Sequence, residues 1–490
     1  MSLRFTVQRS RCYPLVKPAD AARLQSSGPT QHSQLHFVQP RNYGSSLSCS
    51  SCFVAPPPPL YNRVTVSRVA LESLGCKLNQ AEMEALADRL ASRGHTVTDS
   101  LGEADVYVLN TCSVTHIADR KSRQALRSAR RANPEARVIA TGCYARRAPE
   151  ELGRLGVVDV ILGDAEGDSL VGAIEGNGRV RTTRRTGDGT VHRGRTRSLV
   201  KIQEGCRDFC SFCVVPYTRG PGRSQTLDEI LVEVKDKVAR GHQEVVLTGT
   251  KIGEYRSNGH GSAGLPELIR RILAETKVER LRLSSLQPAD LTPELIMLWQ
   301  SDRLCPHLHL PLQSGSDAIL RQMHRPYSLA EYERAVCQAR EAIPDLSITT
   351  DILVGFPGEG DSEFEESYRF CERMGFAGIH VFPYSKRPGT AAATMPGQID
   401  DKVKKQRSAR MMALARRSAR QFRSQFLGRT MTVLWEDDSG EGLWSGHTAN
   451  YLRVYAQSDK NLANQMLAAR LVGEYADGLR GEMVNGGYDG

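Results

Sequence analysis

Between Arg68 and Cys143 the chain repeats one pattern, and each repeat closes on a cysteine. RVALESLGC runs apolar up to Cys76, ADVYVLNTC up to Cys112, and ARVIATGC up to Cys143. After the first run comes NQAEMEALADRLASRG, which sets Met83, Leu86 and Leu90 on one helical face and stops at Gly94. After the second comes DRKSRQALRSARRAN, a basic helical pattern ended by Pro134. Strand–helix–strand–helix–strand argues for a parallel sheet, because parallel neighbours need a crossover long enough to hold a helix. In such a sheet ligands gather outside the carboxyl ends of the strands. Taken singly, Cys76, Cys112 and Cys143 read as ordinary buried thiols. Placed at three equivalent strand ends, two of them after glycine, they point to one dispersed ligand triplet.

The same alternation resumes further on. Gly176 to Arg197 is Gly-, Thr- and Arg-rich with almost no apolar residues and reads as a linker. Beyond it, apolar runs recur at 244–249, 280–286, 308–315, 348–358 and 378–385, with helical patterns between them such as LDEILVEVKDKVARG (227–241). Repeated βα units predict a barrel or partial barrel. Residues 402–426 form a long basic helical pattern, solvated or in contact with phosphate. From Arg429 short strands and turns take over and predict a small β-barrel. The first 65 residues are unlike the rest: rich in Ser, Gln, Pro and Arg, with PPPP at 56–59. They read as a disordered leader or the product of a wrongly chosen start, and less readily as an organelle transit peptide. The expected division is 1–65 leader, 66–175 parallel α/β domain, 176–197 linker, 198–426 βα core and 427–490 β-barrel.

A chain of 490 residues has room for several cores. Its net charge of +10 favours an acidic partner, nucleic acid first. No secretory pattern opens the chain and no run approaches a membrane span, so a cytoplasmic, non-membrane protein is expected. In that compartment twelve cysteines argue for metal binding or reactivity over disulfides. CSSC at 49–52 lacks a second pair, and Cys305, Cys337 and Cys371 read as core or strand-end thiols.

The strongest chemical signal is EGCRDFCSFCVVP, which carries Cys206, Cys210 and Cys213 as C-x3-C-x2-C. Structural zinc takes four closed ligands. Three thiolates on a four-iron cluster leave one iron open to a small molecule with an amine and a carboxylate. This spacing, with Phe212 just before the last cysteine, resembles the radical S-adenosylmethionine (SAM) enzymes. The resemblance implies a [4Fe-4S] cluster that reduces bound SAM to methionine and a 5′-deoxyadenosyl radical.

From about Arg68 onward the chain resembles the methylthiotransferase family, on LGCKLNQAE, LNTCSVT, TGCYA, KIQEGCRDFCSFCVVPYTRGPGRS, SSLQP, LHLPLQSGSD, TDILVGFPGE and HVFPYSKRPGT. The resemblance implies α/β architecture in three parts: an N-terminal parallel domain, a radical-SAM (βα) partial barrel, and a small antiparallel β-barrel of the RNA-binding TRAM type. It implies a second [4Fe-4S] cluster on Cys76, Cys112 and Cys143, and SAM used twice, as radical source and as methyl donor. Lys77 and Glu82 in GCKLNQAE are similar to the members that methylthiolate C2 of N6-threonylcarbamoyladenosine at position 37 of tRNA. The alternatives are isopentenyladenosine-37 and an aspartate of a ribosomal protein. The implied partners are a tRNA anticodon stem-loop, a flavodoxin- or ferredoxin-like reductant and a sulfur source. Strand-end groups are the expected SAM contacts: Thr248, Gly249, Ser284, Ser285, His309, Gln313 and Asp351, with Phe212 beside the cluster. Arg219 and Arg223 are candidates for the SAM carboxylate or an RNA phosphate, or for a loop salt bridge. Lys251 stands where the family commonly has His or Asn. No catalytic acid or base is assigned.

Overall fold

A computed structural model describes residues 66–163, 167–176, 196–257 and 263–484. The leader, the CSSC pair and most of the linker lie outside the described residues.

The first sheet has the order β2-β1-β3-β4-β5, all parallel, from β1 (Arg68–Ser73), β2 (Thr96–Thr98), β3 (Val106–Thr111), β4 (Arg137–Gly142) and β5 (Val160–Ile161). Its centre, VYVLNT, is buried at every position, as expected of a strand covered on both faces. Alternate residues supply two cores. On one face Val69, Val106, Val108 and Ile139 meet Met83, Leu86 and Leu90 of helix α1 (Lys77–Ser92). On the other, Ala70, Tyr107, Leu109 and Val138 meet Leu126 and Ala129 of helix α2 (His116–Ala132).

The central part is an arc of parallel strands. β6 (Arg197–Glu204), β8 (Glu244–Gly249) and β9 (Arg280–Leu283) pair in parallel, and the two-residue β7 (Arg223–Ser224) is added antiparallel at the β6 edge. β10 (His307–His309), β11 (Ser347–Val354) and β12 (Gly378–Pro383) form a second parallel set. A bridge between Ser285 and His309 links the two sets, so the six parallel strands follow one curve around a single core. LHLPLQSG was expected to be strand throughout, but regular pairing ends at His309. Pro311, which has no N–H to give to a ladder, follows two residues later.

The long basic helix runs Asp401–Ser424 and packs on β12 and the helix Asp361–Met374. Several of its arginines are already ion-paired. Arg407 holds Glu359 at 2.9 Å and Asp361 at 2.8 Å, Arg410 holds Glu365 at 2.9 Å, and Arg420 holds Glu474 at 2.6 Å. Less of its charge is therefore open to phosphate than composition suggests.

The last part is a closed barrel of β13 (Thr430–Asp438), β14 (Leu443–Thr448), β15 (Arg453–Gln457), β16 (Met466–Tyr475) and β17 (Gly478–Met483). Its pairings are antiparallel except β15 with β17, which closes the ring in parallel. Arg280 of β9 grips it by donating to the carbonyls of His447 (2.9 Å) and Thr432 (2.8 Å). Arg282 donates to that of Ala449 (2.9 Å). No helix among the described residues is long and apolar enough to cross a membrane.

Candidate functional site

All nine described cysteines are free thiols. Cys76 directly precedes α1 as its N-cap, so its sulfur stands at the positive end of that helix. Two glycines let the strand ends approach. Gly75 has φ +107°, and a Cβ there would lie 2.7 Å from both Cβ and Sγ of Cys112. Gly142 has φ +88°, and a Cβ there would meet the side-chain oxygen of Asn110 at 2.1 Å. Neither space admits a side chain, and L residues seldom adopt these angles. Burial pushes the Cys112 thiol up to about 12, and Cys143 and Cys76 add to the rise. Burial likewise pushes Cys143 up, against the pull of Arg219.

Cys206, Cys210 and Cys213 lie on the loop between β6 and the short helix Val215–Arg219. The loop is tied down on several sides. Cys206 N–H donates to Gly220 O (3.1 Å), Ser211 N–H donates to Met323 O (3.1 Å), and Ala392 N–H donates to Ser211 O (2.8 Å). Asp208 takes two contacts from the Lys251 ammonium, at 2.8 and 2.9 Å, and Glu254 holds the same ammonium at 2.8 Å. Lys251 thus serves the triplet loop. Arg325 donates to Cys210 Sγ at 3.4 Å, which sets a guanidinium beside that sulfur. Phe212 is half-buried and packs against the cluster of Ile319, Met323, Phe356 and Tyr384.

The structure also joins the two triplets, through Arg219, one of the two arginines read as candidates for a SAM carboxylate, an RNA phosphate or a salt bridge. Arg219 is buried. It donates from Nη1 to Glu82 Oε1 (2.6 Å) and from Nη2 to Asn79 Oδ1 (2.8 Å) and Glu82 Oε2 (3.3 Å). Asn79 also accepts from Cys76 Sγ (3.2 Å) and donates to Asn110 Oδ1 (2.9 Å), while Asn110 donates to Glu82 (2.7 Å). Burial pushes the Glu82 carboxyl up, but Arg219, with Lys201 and Asn110, outweighs it and holds the group below the usual carboxylate range. Arg219 therefore spans α1 and the short helix after the triplet loop as an ion pair with Glu82. Arg223 pairs with Glu204, which Lys201 holds at 3.2 Å.

The expected SAM contacts fall along the arc. Thr248 is buried, and Gly249 ends β8 where a Cβ would meet Gln203 O at 2.6 Å, so its glycine is required by strand packing. Ser284 is buried, and its hydroxyl has no hydrogen-bond partner among the described residues. That is an open polar position at a strand end. Ser285 bridges His309, whose Nε2 lies 3.3 Å from Asp351 Oδ2. Gln313 has φ +69° and bridges Ile352. His380, on β12 directly opposite Asp351, was missed: one ligand atom from each of His309, Asp351 and His380 falls within 4.8 Å of the others. Asp317 is the first residue of its helix and accepts from Leu329 N–H (2.8 Å).

Residues 68–163 match the model of Uncharacterized protein family UPF0004, and residues 200–371 that of the Radical SAM superfamily. The Threonylcarbamoyladenosine tRNA methylthiotransferase MtaB of Bacillus subtilis (strain 168) is 35% identical over 432 residues, 83% of this chain and 94% of that protein. The protein of the same name from Aquifex aeolicus (strain VF5) is 38% identical over 381 residues, 75% and 92% of the two chains. The tRNA-2-methylthio-N(6)-dimethylallyladenosine synthase of Thermodesulfovibrio yellowstonii is 31% identical over 429 residues, 85% and 99%. Among solved structures, the radical S-adenosylmethionine methyltransferase TsrM of Kitasatospora setae superposes with a TM-score of 0.49 at 16% identity, covering 67% of this chain and 75% of that one.

Proposed function

The chain belongs to the radical-SAM tRNA methylthiotransferases, and we propose that it methylthiolates C2 of N6-threonylcarbamoyladenosine at position 37 of tRNA. The observation that carries the chemistry is the pair of three-cysteine sets tied together by Arg219. What favours this substrate is the GCKLNQAE wording around Lys77 and Glu82. The relatives named for threonylcarbamoyladenosine are also the more similar, at 35% and 38%, against 31% for the one named for dimethylallyladenosine.

Both donor sets fit iron–sulfur ligation. Each offers three thiols, and thiolates are the usual cluster ligands. Cys206, Cys210 and Cys213 would hold one [4Fe-4S] cluster, and Cys76, Cys112 and Cys143 the other. When bound, the clusters supply the electron that cleaves SAM and the sulfur that is transferred. The protein's own residues do the rest. Lys251, through Asp208, fixes the loop of the first triplet. Arg325 places a positive charge beside Cys210. The unpartnered hydroxyl of Ser284, with Ser285, His309, Gln313 and Asp351, offers the polar groups that would orient SAM. Arg219 holds the two ligand sets at a fixed spacing, so that an adenine unstacked from the anticodon loop meets both. A reductant of the flavodoxin or ferredoxin kind and a sulfur source complete the balance.

A strain lacking this chain is expected to lose 2-methylthio-N6-threonylcarbamoyladenosine from its total tRNA nucleosides, measured by mass, with the unmodified precursor accumulating. An unchanged level overturns the substrate assignment. Loss of the methylthio-isopentenyladenosine signal in its place assigns the other tRNA substrate.

A further inference from the structure

Helix α2 carries the cations Arg120, Lys121, Arg123, Arg127, Arg130 and Arg131 against a single acid, Asp119. The acid is buried and spent inside the protein, taken by Arg147 at 3.2 Å and Arg387 at 2.5 Å. Two of the cations are spent as well. Arg123 donates to the Tyr144 hydroxyl (2.8 Å), and Arg130 pairs with Asp159 (2.5 Å). The others lie on the solvent side. Arg120, Gln124, Arg127 and Arg131 follow one another at the spacing of one helical face, and all are exposed. Lys121 flanks them, exposed as well. Arg120, Lys121 and Arg127 make no hydrogen bond or ion pair among the described residues, and Arg131 meets only the neutral Ser128 hydroxyl at 3.1 Å. No carboxylate of α2 stands on this face. The 401–424 helix differs: there Glu359, Glu365 and Glu474 already answer Arg407, Arg410 and Arg420.

The basic face runs away from the cysteine edge. α2 starts shortly after Cys112, at the carboxyl ends of the strands, where Thr115 caps it and His116 N–H donates to Ser385 Oγ (3.1 Å). It finishes at the opposite edge, where Asn133 donates to the carbonyl of Ala104 (2.9 Å), just before β3. Between Arg120 and Arg131 the helix rises about 16 Å. A row of unneutralised cations of that length, with no acid beside it, matches a nucleic-acid backbone, where negative charge repeats at every phosphate. A tRNA that presents position 37 at the cysteine edge has a duplex next to its loop, the anticodon stem. We infer that the Arg120, Arg127 and Arg131 face of α2 is the track for the backbone of that stem. It supplies affinity without reading sequence, as phosphate contacts do. This rests on the tRNA methylthiotransferase reading above and holds for either modified adenosine.

The test measures binding of two RNAs to the cluster-loaded enzyme by filter retention: an anticodon stem-loop, and its loop alone as a single strand. R120Q/R127Q/R131Q keeps good helix formers on an exposed face, so the fold is expected to hold. It should weaken stem-loop binding about tenfold or more at physiological salt, and flatten the slope against log salt by about 2, as the loss of three phosphate contacts requires. Binding of the loop alone should change by less than about threefold, since it has no stem to lay on the track. K402Q/K405Q/R416Q removes the same charge from exposed positions of the 401–424 helix and should leave stem-loop binding within about threefold of wild type. A wild-type salt slope in the α2 variant overturns the track. Equal losses in the two triple variants overturn it as well, because net charge and not this face then does the binding. An equal loss on the loop alone places the arginines at the loop and overturns the stem track. A wild type that binds neither RNA fails at the earlier step, tRNA as the substrate, and takes the track with it.

Discussion

Replacing Cys206, Cys210 and Cys213 together by alanine will abolish SAM cleavage, whereas replacing Cys76, Cys112 and Cys143 together will leave cleavage running without sulfur transfer. The two sets are built on different elements. The first sits on a loop fastened to Met323, Gly220 and the 390s turn, the second on three strand ends of a separate sheet. Emptying one therefore leaves the scaffold of the other in place. Cys112 and Cys143 are buried, and trimming each to alanine removes only one sulfur atom, a loss of about 1 kcal/mol apiece on the scale of small core deletions. Iron should fall from about eight to about four atoms per chain in either variant. The readouts are iron content, 5′-deoxyadenosine released per SAM, and the methylthio nucleoside by mass. If the variant at 76, 112 and 143 still makes methylthio product, the dispersed triplet has no part in sulfur delivery. If the variant at 206, 210 and 213 still cleaves SAM, the radical assignment fails outright.

Why the cysteines were legible and their surroundings were not follows from how each is encoded. β1, β3 and β4 each hold a run of three or four apolar residues, and a cysteine after each marks one edge of a sheet without any knowledge of side-chain contacts. β2, β5 and β7 are two or three residues long, too short to show a period, and only pairing reveals them. The 401–424 helix was plain from its pattern, but its partners Glu359, Glu365 and Glu474 lie 45 to 54 residues away and could not be assigned to it. The same holds for His380. A histidine in GIHVFPYS reads as one more strand residue until register sets it opposite Asp351. Lys77 and Glu82 were visible as wording that separates substrate classes, but the ion pair Glu82 makes depends on Arg219, 137 residues distant.

Arg219→Leu should loosen the parallel α/β domain from the arc and stop methylthiolation while the triplet loop keeps its thiols. Arg219 and Glu82 are both buried, and Asn79 and Asn110 complete the ring of contacts that ends at Cys76. Removing one partner of a buried ion pair costs about 3–5 kcal/mol, because the other charge is left without compensation. Here that charge is Glu82, whose carboxyl burial pushes up and which Arg219, with Lys201 and Asn110, holds below the usual range. Leucine at 219 thus turns Glu82 into a group that must either protonate or drag α1 toward water. Hydrogen exchange should report it as faster exchange across Lys77–Ser92 and across Arg197–Glu204, the strand on which Leu199 N–H donates to Glu84 (3.1 Å). Arg219→Lys should fall between, since one ammonium replaces the charge but cannot reach both Glu82 and Asn79 as the planar fork does. The double variant Arg219→Leu, Glu82→Leu separates charge from geometry. It should recover most of the lost stability, since no orphan carboxylate remains, but not the activity, since nothing then fixes the spacing of the two cysteine sets. Unchanged exchange in α1 for Arg219→Leu, or full activity in the double variant, would show that the two sets are held in place by something other than this arginine.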